Sequence, residues 1–351
     1  MRTAVLLSGG VDSSLALHRL QRSGDHRLQA FYLKIWLEDE LSFLGDCPWE
    51  EDLRYVRACC RQLNVPLDIV PLQSEYREAV IEHALAELRR GHTPSPDIYC
   101  NRRIKFGAFL NGIGPDFDFV ATGHYAGRQE RNGRNWLVCS PDAAKDQTYF
   151  LSRLNQEQLA RILFPLGDLT KPEVRRLAAA AHLPTAQRPD SQGICFLGRI
   201  QYRDFIRFHL GERPGPIVDA TTHTVLGEHQ GYWFYTIGQR FGLGLGAGPW
   251  YVTRKDVDTN TVWVTHRDQP AARERWSFTA TAVHWITGPP QTRTLEVKLR
   301  HGPQRTPCLI DTLPTGGLQV RLAQPDAGIA PGQHAVFYTG ARCLGSGIIA
   351  D

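Results

Sequence analysis

The chain has 351 residues, of which 42% are hydrophobic and 22% charged, and its formal net charge at pH 7 is +4. These values are typical of a globular protein with two or three domains, and they permit a nucleic-acid partner without requiring one. No apolar run approaches the roughly 20 residues of a membrane span, and no signal peptide precedes the first strand-like run. We therefore expect a cytoplasmic protein that does not enter a membrane.

The first half of the chain alternates strand-like and helical patterns. Apolar runs predict strands at residues 3–7, 28–35, 66–70 and 117–123, and helical spacing predicts helices beginning near residue 15 and covering 49–63 and 75–90. This alternation is typical of a parallel sheet, whose ligands bind beyond the carboxyl ends of its strands. Segments 8–13 and 122–124 both fall at such ends.

The most informative segment, residues 8–13 (SGGVDS), joins the first predicted strand to the first helix. Its two glycines permit the backbone angles and the close approach of a phosphate-binding turn, and a helix N-terminus favours an anion. The lysine of a Walker A loop is absent. The segment resembles instead the pyrophosphate loop of the ATP pyrophosphatases, which cleave ATP between the α and β phosphates. The alternative is an ordinary glycine turn with a Ser/Asp helix cap.

Cys100 follows a stiff loop (GHTPSP) and precedes three cations, Arg102, Arg103 and Lys105. A thiol beside cations and near a helix start is expected to have a lowered pKa and to be partly thiolate at neutral pH. Asp97 would then act as a local base or orient a substrate. A structural cysteine in a basic loop is the alternative that these residues alone leave open.

Eight cysteines lie at positions 47, 59, 60, 100, 139, 195, 308 and 343, and no two have C-x-x-C spacing, so a zinc ribbon is unsupported. Glycines frame Cys195 within DSQGICFLG, which suggests an accessible thiol, although packing is an equal alternative for this residue alone. Paired with Cys100, it offers the attacking and resolving sulfurs of a two-thiol mechanism. The other cysteines are interpreted as buried structural thiols, except Cys47, which stays open.

Two further segments carry candidate binding groups. Residues 145–151 (KDQTYFL) combine a cation, a carboxylate and an amide, a set that suits a phosphate or ribose and equally suits a helix cap. His124, at a predicted strand end, is placed to bind a nucleotide or a base edge, although a lone histidine is more often structural. Residues 170–173 (TKPE) predict a capping box that opens a helix.

The pattern changes after about residue 210, where glycine, proline and aromatic residues become more frequent and alternating runs replace helical spacing. We predict strands at 232–235, 250–252 and 262–264 in one small β module, and at 295–299, 318–322 and 335–338 in a second. The expected division is a catalytic α/β domain at 1–210, a central β domain at 211–275 and a second small β domain at 276–351.

The chain as a whole resembles the tRNA-specific 2-thiouridylases of the MnmA/TrmU type, which are N-type PP-loop ATP pyrophosphatases. The resemblance runs nearly from end to end and rests on the joint order of segments 8–14, 91–106, 121–125, 145–151, 190–198, 235–246 and 331–347. It implies the fold class α/β, with a parallel-sheet PP-loop catalytic domain (adenine nucleotide alpha hydrolase-like). Two small β domains would follow, the last a barrel that contacts tRNA.

The resemblance also implies an enzyme that uses ATP, with Mg²⁺, to place sulfur on the wobble uridine of tRNA. ATP would adenylate the uracil O2, and pyrophosphate would leave. Cys195 would carry a persulfide whose sulfur goes to C2, and Cys100 would resolve it, leaving a transient Cys100–Cys195 disulfide and AMP. The implied partners are tRNAs of the Lys, Glu and Gln type and a sulfur-relay protein or cysteine desulfurase. The chain itself is expected to be a monomer without a metal site.

The family's functional positions map onto this chain residue by residue. Catalytic positions fall on Asp12, Asp97, Cys100 and Cys195. Nucleotide-contacting positions fall on Leu6, Leu7, Ser8, Gly9, Gly10, Val11, Asp12, Ser13, Leu33 and Gly123. tRNA-contacting positions fall on Ser95, Pro96, Asp97, His124, Lys145, Asp146, Gln147, Arg300, His301 and Gln333.

Four features depart from the family's usual pattern. Ser95 stands where the family has asparagine, so an amide's donor and acceptor are lost beside the target base. Leu33 replaces a methionine near the adenine, which conserves volume. Arg300, His301 and Gly302 replace R-Y-R, which removes one cation from the last domain. Segment 37–49 also differs, and the sequence assigns it no role.

Two rival functions remain at this level. An AMP-forming ligase or amidotransferase synthetase would explain segment 8–13 but would not need Cys100 or Cys195. A non-catalytic RNA-binding protein on a retired nucleotide fold would need neither the thiols nor Ser8, Asp12 and Asp97. Mutation of either thiol would abolish turnover of a thiolating enzyme but not of a ligase. Release of pyrophosphate with tRNA and ATP would exclude a non-catalytic RNA-binding protein.

Overall fold

The computed structural model describes residues 1–35, 49–190, 201–269 and 274–350. Two of the sequence predictions lie outside the described residues: Cys195 with its glycine-framed loop, and Cys47 with most of segment 37–49. Within the ranges that are described, no helix is long and apolar enough to cross a membrane.

The first part of the chain folds as an alternation of strands and helices. Its strands are β1 (Arg2–Leu6), β2 (Arg27–Lys34), β3 (Leu67–Pro71), β4 (Phe119–Ala121), β5 (Ala126–Arg131), β6 (Arg134–Cys139) and β7 (Ile162–Leu163). Its α-helices include Val11–Ser23, Trp49–Gln62, Gln73–Tyr76, Glu82–Arg89, Pro96–Tyr99, Phe109–Gly112, Thr148–Leu151, Gln156–Ala160, Lys171–Ala180 and Tyr202–Leu210. Two π-helical stretches, Arg77–Ile81 and Cys100–Ala108, interrupt the α-helical runs.

The five-stranded sheet has the order β3-β2-β1-β4-β7, and its strands are parallel. The chain moves outward from β1 through β2 to β3 and then crosses to β4 on the other side of β1. The crevice between the ends of β1 and β4 is therefore the topological switch point, where α/β sheets bind ligands. The parallel α/β fold expected from the sequence is confirmed.

Helix Val11–Ser23 packs its apolar face against this sheet. Leu15, Leu17 and Leu20 are buried there in one cluster with Val5 and Val56. The helix ends at Gly24, whose φ of 74° is the left-handed conformation that closes a helix and that glycine adopts without strain.

The second part of the chain contains two β units, of which the first is a mixed sheet and the second is antiparallel. The central unit holds β8 (Gly215–Asp219), β9 (Val225–His229), β10 (Trp250–Asp256) and β11 (Thr261–His266) in the order β10-β11-β8-β9, with β8 and β11 parallel. The last unit holds β12 (Arg275–Trp285), β13 (Thr294–Lys298), β14 (Thr306–Thr312), β15 (Leu318–Asp326), β16 (His334–Thr339) and β17 (Arg342–Ile349). Pairing of β12 with β17 closes these last six strands into the expected barrel.

One strand prediction is wrong. Residues 232–235 form no strand; Tyr232–Phe234 is a turn of 3₁₀-helix. Tyr232 and Trp233 are consecutive and both buried, whereas a strand would point them to opposite faces. The Tyr232 hydroxyl donates to the Arg89 carbonyl at 2.6 Å, so the aromatic run joins the central unit to the first domain.

The first domain also contributes directly to the barrel's sheet. The hairpin of β5 and β6 extends β17, with Arg342 opposite Val138 and Cys343 opposite Leu137. The predicted boundaries at residues 210 and 275 thus separate segments of sequence, while hydrogen bonding crosses from the first domain to the last.

A buried ion pair joins the same two domains. The Lys298 ammonium on β13 donates to Asp146 at 3.0 Å, and both side chains are only 2% exposed. Asp146 also accepts from the Thr148 hydroxyl at 2.8 Å and from the backbone N–H of Ser140 at 3.2 Å. The carboxylate is therefore compensated on several sides, as a charge in a protein interior must be.

We expect Lys298→Met to lower the free energy of unfolding by about 3–5 kcal/mol, because it leaves Asp146 as a buried charge without its counter-ion. Urea denaturation followed by tryptophan fluorescence and circular dichroism measures the change. The exposed pair of Arg77 and Glu82, 3.6 Å apart, provides the control, and Glu82→Gln should cost less than about 1 kcal/mol. Equal stability of Lys298→Met and the wild type would contradict this role of the pair.

Candidate functional site

The turn between β1 and the first helix is organised by its own hydroxyl groups. The Ser13 hydroxyl accepts from the backbone N–H of Ser8 at 3.2 Å and donates to the Gly10 carbonyl at 3.1 Å. Gly10 is the N-cap residue and makes no side-chain capping bond. The helix N-terminus therefore presents its positive end to the crevice above the sheet, which is the geometry of an anion site.

Two glycines let other chain segments approach this turn closely. Gly9 has a φ of +77°, and a Cβ placed on it would lie 2.8 Å from the backbone carbonyl of Asp52. A Cβ on Gly123, just beyond β4, would lie 2.6 Å from the Ser13 nitrogen. Only glycine fits at these positions. The structure therefore brings Gly123 against the turn, across the switch point of the sheet.

Asp12 lies at the centre of a charged cluster beside the turn. The Lys171 ammonium donates to Asp12 at 2.7 Å and forms an ion pair with Asp190 at 2.9 Å. Lys145 donates to Asp190 at 3.0 Å, and Arg175 contacts the same carboxylate. Burial alone would raise the pKa of Asp190, but Lys171 and Lys145 hold it well below its usual range. Asp190 therefore stays ionised and fixes three cations near the turn.

Tyr125 completes this cluster from the end of β4. Its hydroxyl donates to Asp12 at 2.7 Å. Burial, and then the charge and hydrogen bond of Asp12, raise the pKa of Tyr125 well above its ordinary value, so it remains a neutral donor. The side chain of Gln147 accepts from the backbone N–H of Tyr125 at 2.9 Å. Tyr125 thereby connects segment 145–147 to Asp12 in the turn at residues 8–13.

The turn has a further contact that the sequence analysis missed. Arg188 donates to the Gly9 carbonyl at 2.8 Å and pairs with Asp52 at 2.5 Å. Lys171 was missed likewise, since residues 170–173 were interpreted only as a capping box. That box is confirmed, with Thr170 and Glu173 capping each other. No local pattern marks Arg188 or Lys171, because their partners lie 179 and 159 positions away.

The loop before Cys100 is held by the other two domains. The Thr93 backbone N–H donates to the Pro331 carbonyl at 2.8 Å, and a Cβ on Gly332 would lie 2.7 Å from His92. On the other side, the Thr93 hydroxyl donates to that of Thr236 at 3.4 Å. The loop before Cys100 is thus packed at the junction of all three domains.

Cys100 begins the π-helix Cys100–Ala108 and is only 3% exposed. Asp97 and Ser95, three and five positions before Cys100, are half-buried, and Pro96 starts the short helix Pro96–Tyr99. Of the three expected cations, Arg103 is committed to the Tyr99 ring, 4.6 Å from its centroid, and to the Ala79 carbonyl. The lowered pKa of Cys100 and its approach to Cys195 stay predictions.

His124 is half-buried beside β4, and its Nδ1 lies 2.8 Å from the Thr122 hydroxyl. Burial, and then the positive charge of Lys105, lower the pKa of His124 well below its ordinary value. The imidazole is therefore neutral at pH 7, with one donor and one acceptor nitrogen, which suits contact with a base edge.

The predicted tRNA residues of the barrel reach the same region unequally. His301 donates to the Asp146 carbonyl at 3.2 Å and stacks on Phe150, with ring centroids 4.7 Å apart. Arg300 pairs with Asp326 at 2.5 Å and stays exposed. Gln333 is the residue after Gly332, which packs against His92 and Thr93 in the loop before Cys100. Lys298 and Thr148 occupy the Asp146 carboxylate, and the Asp146 backbone carbonyl and N–H bond to His301 and Asp142, so contact of Asp146 with tRNA stays a prediction.

The residues at the turn fit the phosphates of a nucleoside triphosphate. The fit rests on the glycine approaches at Gly9 and Gly123 and on the cations beside Asp12, which offer N–H donors and positive charge to phosphate. Among the residues that the structure describes, no group of three or more His, Cys, Asp or Glu side chains is arranged to hold a metal ion.

Comparisons with known proteins agree over the full length. Three family models match in succession: a tRNA methyl transferase HUP domain over residues 1–199, a tRNA methyl transferase PRC-barrel domain over 203–266, and an aminomethyltransferase beta-barrel domain over 275–349. The tRNA-specific 2-thiouridylase MnmA of Parabacteroides distasonis is 43% identical over 359 residues, covering 100% of this chain and 99% of that one. The enzyme MnmA 1 of Bacteroides thetaiotaomicron is 42% identical over 356 residues, covering 99% of each chain.

Among solved structures, the U34-tRNA thiolase NcsA of Methanococcus maripaludis is similar at a TM-score of 0.36 and 16% identity. The similarity covers 60% of this chain and 66% of that one. A likeness this slight supports no argument about function.

We expect Gly123→Ala to weaken ATP binding by about 5- to 150-fold, because its methyl group must displace the backbone of the turn and overpacking costs about 1–3 kcal/mol. Isothermal titration of the protein with ATP measures the effect. Gly112→Ala is the matched control, since a Cβ there meets nothing within 4 Å. If Gly123→Ala bound ATP as the wild type does, the turn would not be the phosphate site.

Proposed function

The chain belongs to the tRNA-specific 2-thiouridylase family, and we propose that it makes 2-thiouridine at the wobble position of tRNA through an adenylated uridine and a cysteine persulfide. It is an enzyme of the tRNA sulfurtransferase class. The finer chemistry proposed below rests on the arrangement of the turn at residues 8–13, of the cluster around Asp12 and of the loop that carries Cys100.

The first proposed step is activation of the uracil carbonyl. A neutral uracil is unreactive at C2 until its O2 becomes part of a leaving group. The turn at residues 8–13 would hold the triphosphate of ATP, with Leu6, Leu7, Leu33 and Gly123 bordering the nucleotide. The O2 of the uracil attacks the α-phosphorus while N3 loses its proton to water. The bond from the α-phosphorus to the bridging oxygen of the β-phosphate breaks, and pyrophosphate leaves towards Lys171 and Lys145.

The chain's charges suit this step. Lys171 and Lys145 bring positive charge beside the turn, and Asp12 and Asp190 hold both ammonium groups in place. Fixed cations stabilise the negative charge that develops on the departing pyrophosphate without reorganising during the reaction. Mg²⁺ would arrive bound to the phosphates of ATP, with Asp12 the nearest carboxylate of the turn.

The second proposed step delivers sulfur through two cysteines. The terminal sulfur of a Cys195 persulfide attacks C2, and AMP leaves, which joins the base to Cys195 through a disulfide. The Cys100 thiolate then attacks the Cys195 sulfur, the 2-thiouridine is released, and a Cys100–Cys195 disulfide forms. A thiol reductant and a fresh persulfide from a cysteine desulfurase or relay protein restore the enzyme.

The target uridine would be held by the residues at the three-domain junction. Ser95, Pro96 and Asp97 would contact the base, and neutral His124 would contact the neighbouring nucleotide. Backbone and side-chain groups of segment 145–147, together with Arg300, His301 and Gln333, would hold the rest of the anticodon arm. We expect tRNAs of the Lys, Glu and Gln type as substrates, a monomeric enzyme, and a reaction located in the cytoplasm with those tRNAs.

The observation that supports this proposal is the approach of Gly123 to the Ser13 nitrogen at the switch point of the sheet, which is the geometry of an anion site. Mass spectrometry of tRNA nucleosides tests it in cells lacking the protein. Wobble 2-thiouridine should be lost and should return with the wild-type chain. Persistence of 2-thiouridine in those cells would overturn the proposal.

We expect Cys195→Ser to abolish thiolation while retaining tRNA-dependent release of pyrophosphate from ATP, because adenylation precedes sulfur transfer. Thiouridine formation and pyrophosphate release are measured on the same samples. Thiolation by Cys195→Ser would remove this residue as the sulfur carrier, and loss of pyrophosphate release would remove the proposed order of steps.

Cys100→Ser should lose thiolation but still accept a persulfide on Cys195, because a serine hydroxyl is not ionised at neutral pH and cannot resolve it. Intact-protein mass spectrometry detects the persulfide as added sulfur. Cys60→Ala is the control: burial, and then Cys59, raise the pKa of Cys60 to about 12, so this thiol takes no part. Full activity of Cys100→Ser would assign the resolving sulfur elsewhere.

A further inference from the structure

The central unit presents an aromatic side chain that its own fold does not use. Phe241 is 74% exposed, the highest exposed fraction among the large apolar side chains that the structure describes. The Arg240 guanidinium lies over its ring, 4.4 Å from the centroid. A guanidinium placed over an exposed ring offers two binding groups side by side. The ring can stack on another π-system, and the guanidinium can bind an anion.

The turn that carries Phe241 is fixed by hydrogen bonds. The Gln239 side chain accepts from the backbone N–H of Thr236 at 3.0 Å and donates to the Phe241 carbonyl at 2.9 Å. Its own backbone bonds to Thr236 and to Val252. Gly238 and Gly242, with φ of 84° and 76°, make the reversals that flank the turn. The ring is therefore held out by a defined backbone.

This turn contacts the loop that precedes Cys100. The Thr236 hydroxyl accepts from that of Thr93 at 3.4 Å, and Thr93 lies two positions before Ser95. Gly238 packs against the barrel, since a Cβ on it would lie 2.9 Å from the Gly328 Cα. Through Gln239, Phe241 is thus connected to the segment that leads to Asp97 and Cys100.

We propose that Arg240 and Phe241 form a stacking platform for an unpaired base of the anticodon loop next to the wobble uridine. This inference rests on the proposed function, because that function brings an anticodon loop to the adjacent Ser95–Asp97 segment. Proteins that read single-stranded RNA stack its bases on aromatic rings and arginine planes. The platform would hold a neighbouring base while the uridine turns into the site.

The surroundings of Phe241 favour a nucleobase over a protein partner. Gly242 and Gly244 beside it are exposed, and Leu243 points inward as part of the buried core. Protein docking sites have a contiguous apolar core, whereas one ring with one cation matches a single base and its phosphate.

The test measures the Kd of the full-length protein for unmodified substrate tRNA. Phe241→Ala should weaken binding by about 5- to 150-fold, the loss expected for one stacked base. Phe241→Trp should bind as tightly as the wild type, whereas Phe241→Leu should resemble alanine, because stacking needs a π-face. Phe208→Ala, at another exposed phenylalanine on helix Tyr202–Leu210, should leave the Kd unchanged. Wild-type affinity in Phe241→Ala, or rescue by leucine, would overturn the platform.

A second arm identifies the base. Anticodon stem-loops carrying one abasic nucleotide at each loop position are titrated with wild type and Phe241→Ala. The difference between the two proteins should vanish for one abasic position only, where the stacked base is missing. The slope of log Kd against log salt should be the same for both proteins, since no charge is removed. A difference that persists at every position would overturn the inference.

The remaining outcomes separate this inference from the proposed function. If the wild type bound no tRNA, the proposed function itself would fail. Binding and thiolation by both proteins with equal Kd would remove only the platform. Slower persulfide loading of Cys195 in Phe241→Ala, with unchanged tRNA affinity, would assign the surface to the sulfur donor and also overturn the platform.

Discussion

The ion pair between Asp146 and Lys298 is the constraint on which the rest of the site depends. It fixes the barrel to segment 145–147 of the first domain, at a depth where neither charge has water to compensate it. The residues on either side of Asp146 contact the first domain instead. Lys145 donates to Asp190, and the Gln147 side chain accepts from the backbone N–H of Tyr125. One three-residue segment therefore connects the barrel to the cluster beside the turn at residues 8–13.

The ionic contacts continue from that segment to the turn itself. Asp190 forms ion pairs with Lys145, Lys171 and Arg175. Lys171 forms a second ion pair, with Asp12. Asp142 also lies here and accepts from the backbone N–H groups of Lys145 and Lys171, so three cations face three carboxylates beside the helix N-terminus. The suitability of the crevice for a polyphosphate therefore rests on the helix N-terminus and the close backbone approach at Gly9 and Gly123, and not on a surplus of positive charge.

Local features of this protein were predictable from sequence, and distant pairings were not. The turn at residues 8–13, the alternation behind the parallel sheet and the capping box at Thr170 follow from patterns within a few residues. The C-terminal barrel is expected only from the family resemblance, since it closes through the distant pairing of β12 with β17. The hairpin of β5 and β6 joins a barrel strand some 200 positions later, which no periodicity reveals. Asp146 illustrates the same limit: its type suggested a ligand contact, while Lys298, 152 positions away, takes its side chain.

The three-domain junction gives a physical reason for the length of the chain. The loop at residues 91–95, which leads to Asp97 and Cys100, contains no helix or strand, so contacts with the other domains fix its position. Pro331 and Gly332 hold it from the barrel, and Thr236 holds it from the central unit. A polyphosphate site needs only the parallel sheet and its glycines. The proposed reaction on a base of tRNA requires the Cys100 segment, the turn at residues 8–13 and the RNA-binding residues to keep a fixed arrangement. The two β domains contribute to that arrangement by packing against residues 92 and 93.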